Sequence, residues 1–223
     1  SGSSVVNNDG NGFNYPTESI KAAYRVPTTG PSDLRRNVNI AQYTATRPYV
    51  KKFISQVVTR YDAENDFPVI RFADVLLMKA EAMGFDSSNG VAVGLINQIR
   101  QRSGATDYTG TGTFEAAFYK YPATGNGSIQ DAISFKTALF NERRIELAYE
   151  NQRYFDMLRS GDALIAVRAY FAAEFDVHYK NYRPAITLAE LQGYVNQDRL
   201  LLPIPQREID TNDEIKIAQN PGY

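Results

Sequence analysis

The stretch NDFPVIRFADVLLMKAEAMG, residues 65 to 84, constrains the fold more than any other part of the chain. Asp66 is a capping residue type, Pro68 suits a first helical turn, and Gly84 follows the last periodic position. Phe72, Leu76, Lys79/Ala80 and Met83 recur at helical spacing, with Val75 and Ala82 widening the stripe. The pattern predicts a helix over 67–84 whose large apolar residues face a core.

A second helix is expected over 91–102, with Val91, Leu95, Ile99 and Arg102 on one face and a stop at Ser103-Gly104. The two would form a hairpin across the polar FDSSNG. Ser128 and Asp131 make an S-x-x-D start to a long helix over 128–150. A shorter one follows over 153–160, and GDALIAVRAYFAAEF is a further helical stretch capped by Asp162. Successive hairpins of similar build imply stacked repeats. The fold class is mostly α, with tetratricopeptide-like hairpins over 67–223. Residues 1–66, rich in Gly, Asn, Thr and Pro, read as loops with short strands near Val38–Tyr43 and Phe53–Thr59. At the other end, LLPIPQREID cannot be helix or central strand, because Pro203 and Pro205 lack an N–H and push Leu202 and Ile204 towards extended backbone. It reads as an apolar strap.

The formal charge of −1, from 24 basic and 25 acidic residues, gives no field to recruit nucleic acid. Basic residues nonetheless outnumber acidic ones ahead of Arg60, and the reverse holds beyond it. There is no cysteine, hence no disulfide, thiolate metal site or thiol nucleophile. No apolar run is long enough to span a bilayer. Phosphate-binding glycine loops, nucleophile elbows and zinc-binding helices are absent, and no cofactor is expected.

NERRIELAYENQRYFDMLRSG, residues 141 to 161, is the densest charged cluster. Glu142, Glu146 and Glu150 at i, i+4, i+8 share a helix face, where a carboxylate pair could hydrolyse a glycoside. Arg143, Arg144 and Arg153 favour ion pairing instead, because neighbouring cations lower the raised pKa that a general acid needs. An Arg143–Glu146–Arg153 network between the third and fourth helices is expected. His178, the one histidine, has no second histidine with which to share a metal and reads as a surface or packing residue. Asn7, Asp9 and Asn11 lack the spaced acids of a calcium loop.

Aromatics in polar loops remain: Phe13, Tyr15 and Tyr24 early, and Tyr108, Phe114, Phe118, Tyr119 and Tyr121 between the hairpins. Rings beside Asn and Arg suit sugars, which offer a C–H face to stack on and hydroxyls to hydrogen-bond. Phe114 and Phe118, at i and i+4, are expected to pack. Tyr15 and Tyr24 would stack while Asn14 and Arg25 hydrogen-bond hydroxyls, with Tyr108 and Tyr121 as a second loop.

Three ordered blocks resemble one family. FPVIRFADVLLMKAEAMG with VGLINQIRQRSGA, then NERRIELAYENQRYFDMLRSG, then LLPIPQREIDTN followed by QNPGY are similar to the C-terminal half of SusD/RagB-like proteins. The resemblance implies a tetratricopeptide-like scaffold in a surface-exposed outer-membrane lipoprotein of Bacteroidetes. Such a protein binds glycans without catalysis and passes them to a SusC-like TonB-dependent transporter. It also implies that the strap closes the fold with Leu202 and Ile204 as anchors. Family members are longer, with an N-terminal half that supplies the first repeats and the lipid-bearing cysteine. The hairpins here are therefore expected to leave an apolar surface for that half or for a second copy. A helical-repeat adaptor that holds a protein and no sugar is the competing reading.

Overall fold

The computed structural model describes residues 15–44, 47–54, 66–86, 90–181 and 183–223. It divides into two compact units, Ser1–Arg153 and Tyr154–Tyr223.

In the first unit, short helices α1 (Glu18–Ala23) and α2 (Arg35–Asn39) precede an antiparallel hairpin of β1 (Ile40–Thr44) and β2 (Arg47–Val50), with Ile40 opposite Val50. The N-terminal region thus has more regular structure than its composition announced. A strand not expected from sequence forms over Arg47–Val50, and of the expected strand near 53–59, residues 55–59 lie outside the described residues. Helices α3 (Phe72–Met83), α4 (Val91–Arg102) and α5 (Ala132–Glu146) then build the main core. α4 has the bounds its periodicity predicts. α3 starts five residues late: its N-cap is Arg71 in extended conformation, and Gly84, at φ 69°, ends it as expected. α5 starts at Ala132, four residues beyond the expected start, because the capping box is closed by Asp131 and Ser134. It ends at Glu146, short of 150, where the chain leaves helical backbone and Tyr149 and Asn151 adopt positive φ.

The core sits where Ala73, Leu77 and Ala80 of α3 meet Ala92, Leu95, Ile96 and Ile99 of α4, with Phe135 and Leu139 of α5 against both. Small residues on α3 let the helices approach closely. The stripe expected to be buried is split: Ala80 lies in the core and Leu76 packs against it, but Phe72 is 75% exposed and Val75 and Met83 are exposed, as is Met78. Val91 of α4 is likewise exposed. A second cluster, Tyr24, Ile40, Ile145 and Ala148, fastens the N-terminal segment to the end of α5.

Ion pairs complete the attachment. Glu142, Glu146 and Glu150 are all buried on one face of α5 and its extension. Arg35 reaches Glu142 at 2.6 Å and Glu146 at 3.0 Å while forking onto Asp33 at 2.9 and 2.7 Å. Arg71 pairs with Glu146 at 3.0 Å and Glu150 at 2.7 Å, Arg100 with Glu142 at 3.0 Å, and Arg102 with Glu146 at 2.5 Å. Lys52 pairs with Glu150. The guanidiniums on Glu146 are therefore those of Arg35, Arg71 and Arg102, not the expected Arg143 and Arg153. Arg143 pairs with Asp74 of α3 at 2.8 Å. Local spacing pointed to local partners, whereas tertiary packing supplied remote ones.

The second unit holds α6 from its second residue (Arg153–Ser160), α7 (Ala163–Glu174), a π turn over Phe175–Tyr179, α8 (Leu188–Gly193) and α9 (Gln206–Asp210). His178 lies on the π turn and contacts buried Glu174 at 3.3 Å. The C-terminal strap closes on itself: the Gln219 amide accepts from the Ile204 N–H at 2.8 Å and donates to its carbonyl at 2.9 Å, and Asn220 donates to the Leu202 carbonyl at 2.7 Å. Leu202 is 73% exposed and is not the anchor expected, whereas Ile204 is half-buried; the strap is extended only as far as Pro205, because QREID forms α9 where non-helical backbone was expected.

Removing one partner of a buried pair strands the other charge, so Arg35→Met is expected to lower the unfolding free energy by about 3–5 kcal/mol. Arg102, whose side chain is 55% exposed, should lose under ~1 kcal/mol as Arg102→Met. Denaturant titration compares the two, and equal losses would show that burial does not set the cost.

The Glu146 carboxyl gives a pH signature. Burial alone would raise its pKa, but Arg35, Arg102 and Arg71 outweigh it and hold the value at about 2, below the ordinary 4.5. A carboxyl depressed in the folded state stabilises above its unfolded pKa, and that stability disappears as pH falls through the folded value. About 3 kcal/mol should therefore be lost between roughly pH 5 and pH 2. In Glu146→Gln the slope of stability against pH over that window should be shallower.

Candidate functional site

Helix α4 builds the site by gripping the loop that follows it. Asn97 donates to the Tyr121 carbonyl and accepts from its N–H, both at 2.8 Å, and Arg100 donates to the Tyr119 carbonyl at 2.8 and 2.5 Å. A parallel bridge between Thr106 and Tyr119 closes the loop on itself. The backbone of residues 32–34 crosses this end of α4 so closely that a Cβ on Gly104, at φ 102°, would lie 2.7 Å from the Ser32 carbonyl.

The pinned loop carries a cluster of rings. Tyr108 lies edge-on to Phe114 at 5.6 Å and 5.2 Å from Tyr119, and Phe114 lies 5.7 Å from Tyr121. Phe114 and Phe118 are buried, as their spacing suggested, while the three tyrosines are partly exposed. The Arg25 guanidinium stands 5.7 Å over Phe114, and Arg100 lies 4.4 Å from both Phe118 and Tyr121. Burial pushes the Tyr121 hydroxyl pKa up, against the opposing charge of Arg100, so the group stays a neutral donor and acceptor.

Around the cluster lie three hollows. One, of about 440 Å³, has Arg25, Phe114, Tyr121 and Asn141 in its wall. A second, of about 280 Å³, shares Arg25, Tyr121 and Asn141 and adds Phe118 and Arg144. The third, of about 350 Å³, lies between Tyr108, Tyr121, Asn97 and Lys120.

Of the residues singled out by sequence, Arg25 and Tyr121 meet, and Tyr108 shares the third hollow with Tyr121. Tyr15 is exposed and lines none of these hollows. Tyr24 is corrected: it is 3% exposed, its hydroxyl accepting from Asn39 at 2.8 Å and donating to the Ile145 carbonyl at 3.2 Å, so it offers no stacking face. Burial pushes its pKa up to about 12 although the Asn39 bond lowers it. Asn14, Phe13, Asn7, Asp9 and Asn11 lie outside the described residues. Asn141 and Arg144 were missed as site residues. Both stand in the block where the acids drew attention, one turn apart on the flank of α5 that the acid row leaves free.

That acid row is unsuited to glycoside hydrolysis. Both Glu142 oxygens accept from guanidiniums, and Glu146 is held too acidic to protonate a leaving group. Among the described residues, no three acidic or histidine side chains gather to hold a metal, and no helix is long and apolar enough to cross a membrane.

The chain belongs to the SusD family, whose sequence model matches residues 5–223. It is 23% identical to SusD-like protein P38 of Formosa agariphila over 94% of this chain and 38% of the relative, and 27% identical to SusD-like protein P25 of the same organism over 86% and 33%. The chain thus spans about a third of the length of the curated relatives it matches. A SusD superfamily protein of Bacteroides vulgatus shares the fold with a TM-score of 0.58 at 22% identity, over 94% of this chain and 44% of that one. A SusD homolog of Bacteroides thetaiotaomicron does so with a TM-score of 0.50 at 23% identity, over 86% and 41%.

The ring cluster depends on Gly127, at φ 84°, where a Cβ would lie 2.3 Å from the Phe114 ring. Gly127→Ala is expected to dislodge Phe114, cost about 1–3 kcal/mol and reduce the near-ultraviolet circular dichroism of the aromatics. An unchanged spectrum with unchanged stability would contradict that packing.

Proposed function

We propose that this chain belongs to a non-catalytic, surface-exposed binding protein of the outer membrane that captures oligosaccharides and passes them to a TonB-dependent transporter of the SusC type. The observation that carries the reading is the partly exposed row of Tyr108, Tyr119 and Tyr121, held rigid by α4 and bordered by Asn97, Arg25 and Asn141. Rings backed by a fixed scaffold and flanked by amide and guanidinium donors match the alternating C–H faces and hydroxyls of a sugar chain. Membership of the SusD family supports the same reading. The open hollows favour a chain lying along the surface, with several sugar units sharing a modest affinity. The exposed Phe72, Val75, Met78 and Met83 of α3 give the adaptor reading its own support as a protein-docking face.

Titration of the full-length protein with neutral and charged oligosaccharides, followed by calorimetry, separates the two. Tyr108→Ala is expected to weaken binding about fivefold, equivalent to roughly 1 kcal/mol of stacking, and Tyr121→Ala by as much or more. Failure of every oligosaccharide to bind the full-length protein would favour the adaptor reading, and unaltered affinity in both variants would move the site away from this loop.

A further inference from the structure

We propose that the hollow between α1 and the outer flank of α5 holds the anionic group of an acidic saccharide, a uronate carboxylate or a sulfate ester, between Arg25 and Arg144. The proposal rests on the saccharide-binding reading and specifies the class of sugar.

It starts from where the charges of the first unit are matched. Arg35, Arg71, Arg100, Arg102 and Arg143 each face at least one carboxylate at 3.0 Å or less. Arg25 and Arg144 do not. Arg25 donates to the Ala117 carbonyl at 3.4 Å and lies over Phe114, and Arg144 donates to the Ser19 hydroxyl at 2.7 Å. Both guanidiniums line the same hollow, and neither has a carboxylate partner among the described residues. Each thus retains donor capacity beyond a single neutral acceptor.

The surroundings favour an incoming anion. Arg144 is half-buried, and burial lowers its pKa with only Tyr24 opposing, the mark of a desolvated cation without a counter-charge. Glu142, the acid in the wall, is already bound by Arg35 at 2.6 Å and Arg100 at 3.0 Å, so it does not neutralise the pair. Glu115 and Asp131 line the adjoining hollow, where Asp131 is committed to capping α5.

Size and shape narrow the ligand. A guanidinium fork matches the planar oxygens of a carboxylate or two oxygens of a sulfate. Phe118, Ala22 and Ile145 give the hollow apolar surface, and Asn141 adds an amide. Its volume of about 280 Å³ is at the lower end of the roughly 300–1,000 Å³ typical of ligand pockets, which suits one charged ring. Neighbouring units would continue past Arg25, Tyr121 and Asn141, which also line the larger hollow. The near-zero net charge of the chain argues against a nucleic-acid polyanion.

The test uses matched probes on the full-length protein: oligogalacturonate against its methyl ester, and a sulfated galactan oligosaccharide against its desulfated form. We expect the charged member of at least one pair to bind about tenfold or more tightly than its neutral counterpart, with the preference falling as salt rises. Which pair shows it distinguishes carboxylate from sulfate. Arg144→Gln should abolish the preference while leaving neutral binding in place, Arg25→Gln should abolish the preference and also weaken neutral binding, and Arg144→Lys should retain part of the preference. Melting curves of the variants check that folding is intact. Equal affinity within both pairs, or a preference that survives both glutamine variants, overturns the proposal. Neutral binding that still weakens in Tyr108→Ala would leave the general saccharide reading standing after such a failure. No binding by any of the four probes would end both.

Discussion

Everything in the first unit depends on neutralising three carboxylates that α5 and its extension carry into the interior. Glu142, Glu146 and Glu150 are each 4% exposed or less. A charge that deep is costly unless paired and hydrogen-bonded. The row can therefore be buried only if cations arrive from elsewhere, and they do so from four places: Arg35 on α2, Lys52 after the β hairpin, Arg71 at the start of α3, and Arg100 and Arg102 at the end of α4. The apolar cores alone do not specify this arrangement. The main cluster joins α3, α4 and α5, and the second joins the N-terminal segment to α5. The ion pairs fix the register of both against the same helix.

Much of the helical framework was legible because it is local. Periodicity and a Ser-Gly stop were enough for α4, and α6 was recovered with its bounds intact. α3 was read too long because Pro68 looked like a first-turn proline. Instead Arg71 stays extended at the N-cap, where its side chain forks onto Glu150 at 2.9 and 2.7 Å. Which face of α3 is buried was only partly legible from hydrophobicity: Leu76 and Ala80 face the core as read, Phe72 and Met83 do not. The core side is that of Ala73, Leu77 and Ala80, where two small residues admit α4 and α5 closely, and an apolar side chain is as acceptable on the outside as unpaired charge would be costly within.

The site was harder to read for a related reason. Tyr24 looked like a loop aromatic, yet Ile20, Ala23 and Tyr24 stand at i, i+3, i+4, and all three join the second core cluster. That short helical signal was present and was outweighed by the surrounding Gly, Pro and Asn. The partners of the acid row left no local trace: 107 residues separate Arg35 from Glu142. Tyr121 and Arg25 were legible as residue types, but their meeting depends on Asn97 and Arg100 holding the loop, a link that spacing does not encode.

Arg143 and Arg144 show how scaffold and surface are written in one motif. Neighbouring residues on a helix point about 100° apart, so a pair of arginines beside an inward acid row cannot share one fate. Arg143 turns to the core and meets Asp74 of α3. Arg144 turns to the hollow beside α1, where among the described residues it donates to the Ser19 hydroxyl and is partly desolvated. The inward arginine helps α5 pack on α3. The outward one is left with a positive potential that packing does not cancel, on a helix too firmly clamped to swing it away. Because the acid row immobilises α5, Asn141 and Arg144 are held one turn apart along a rigid edge, facing a loop that α4 holds equally still. The same charge network that stabilises this region holds Asn141 and Arg144 in place, and the motif that looks most like catalytic machinery instead underlies the proposed binding surface.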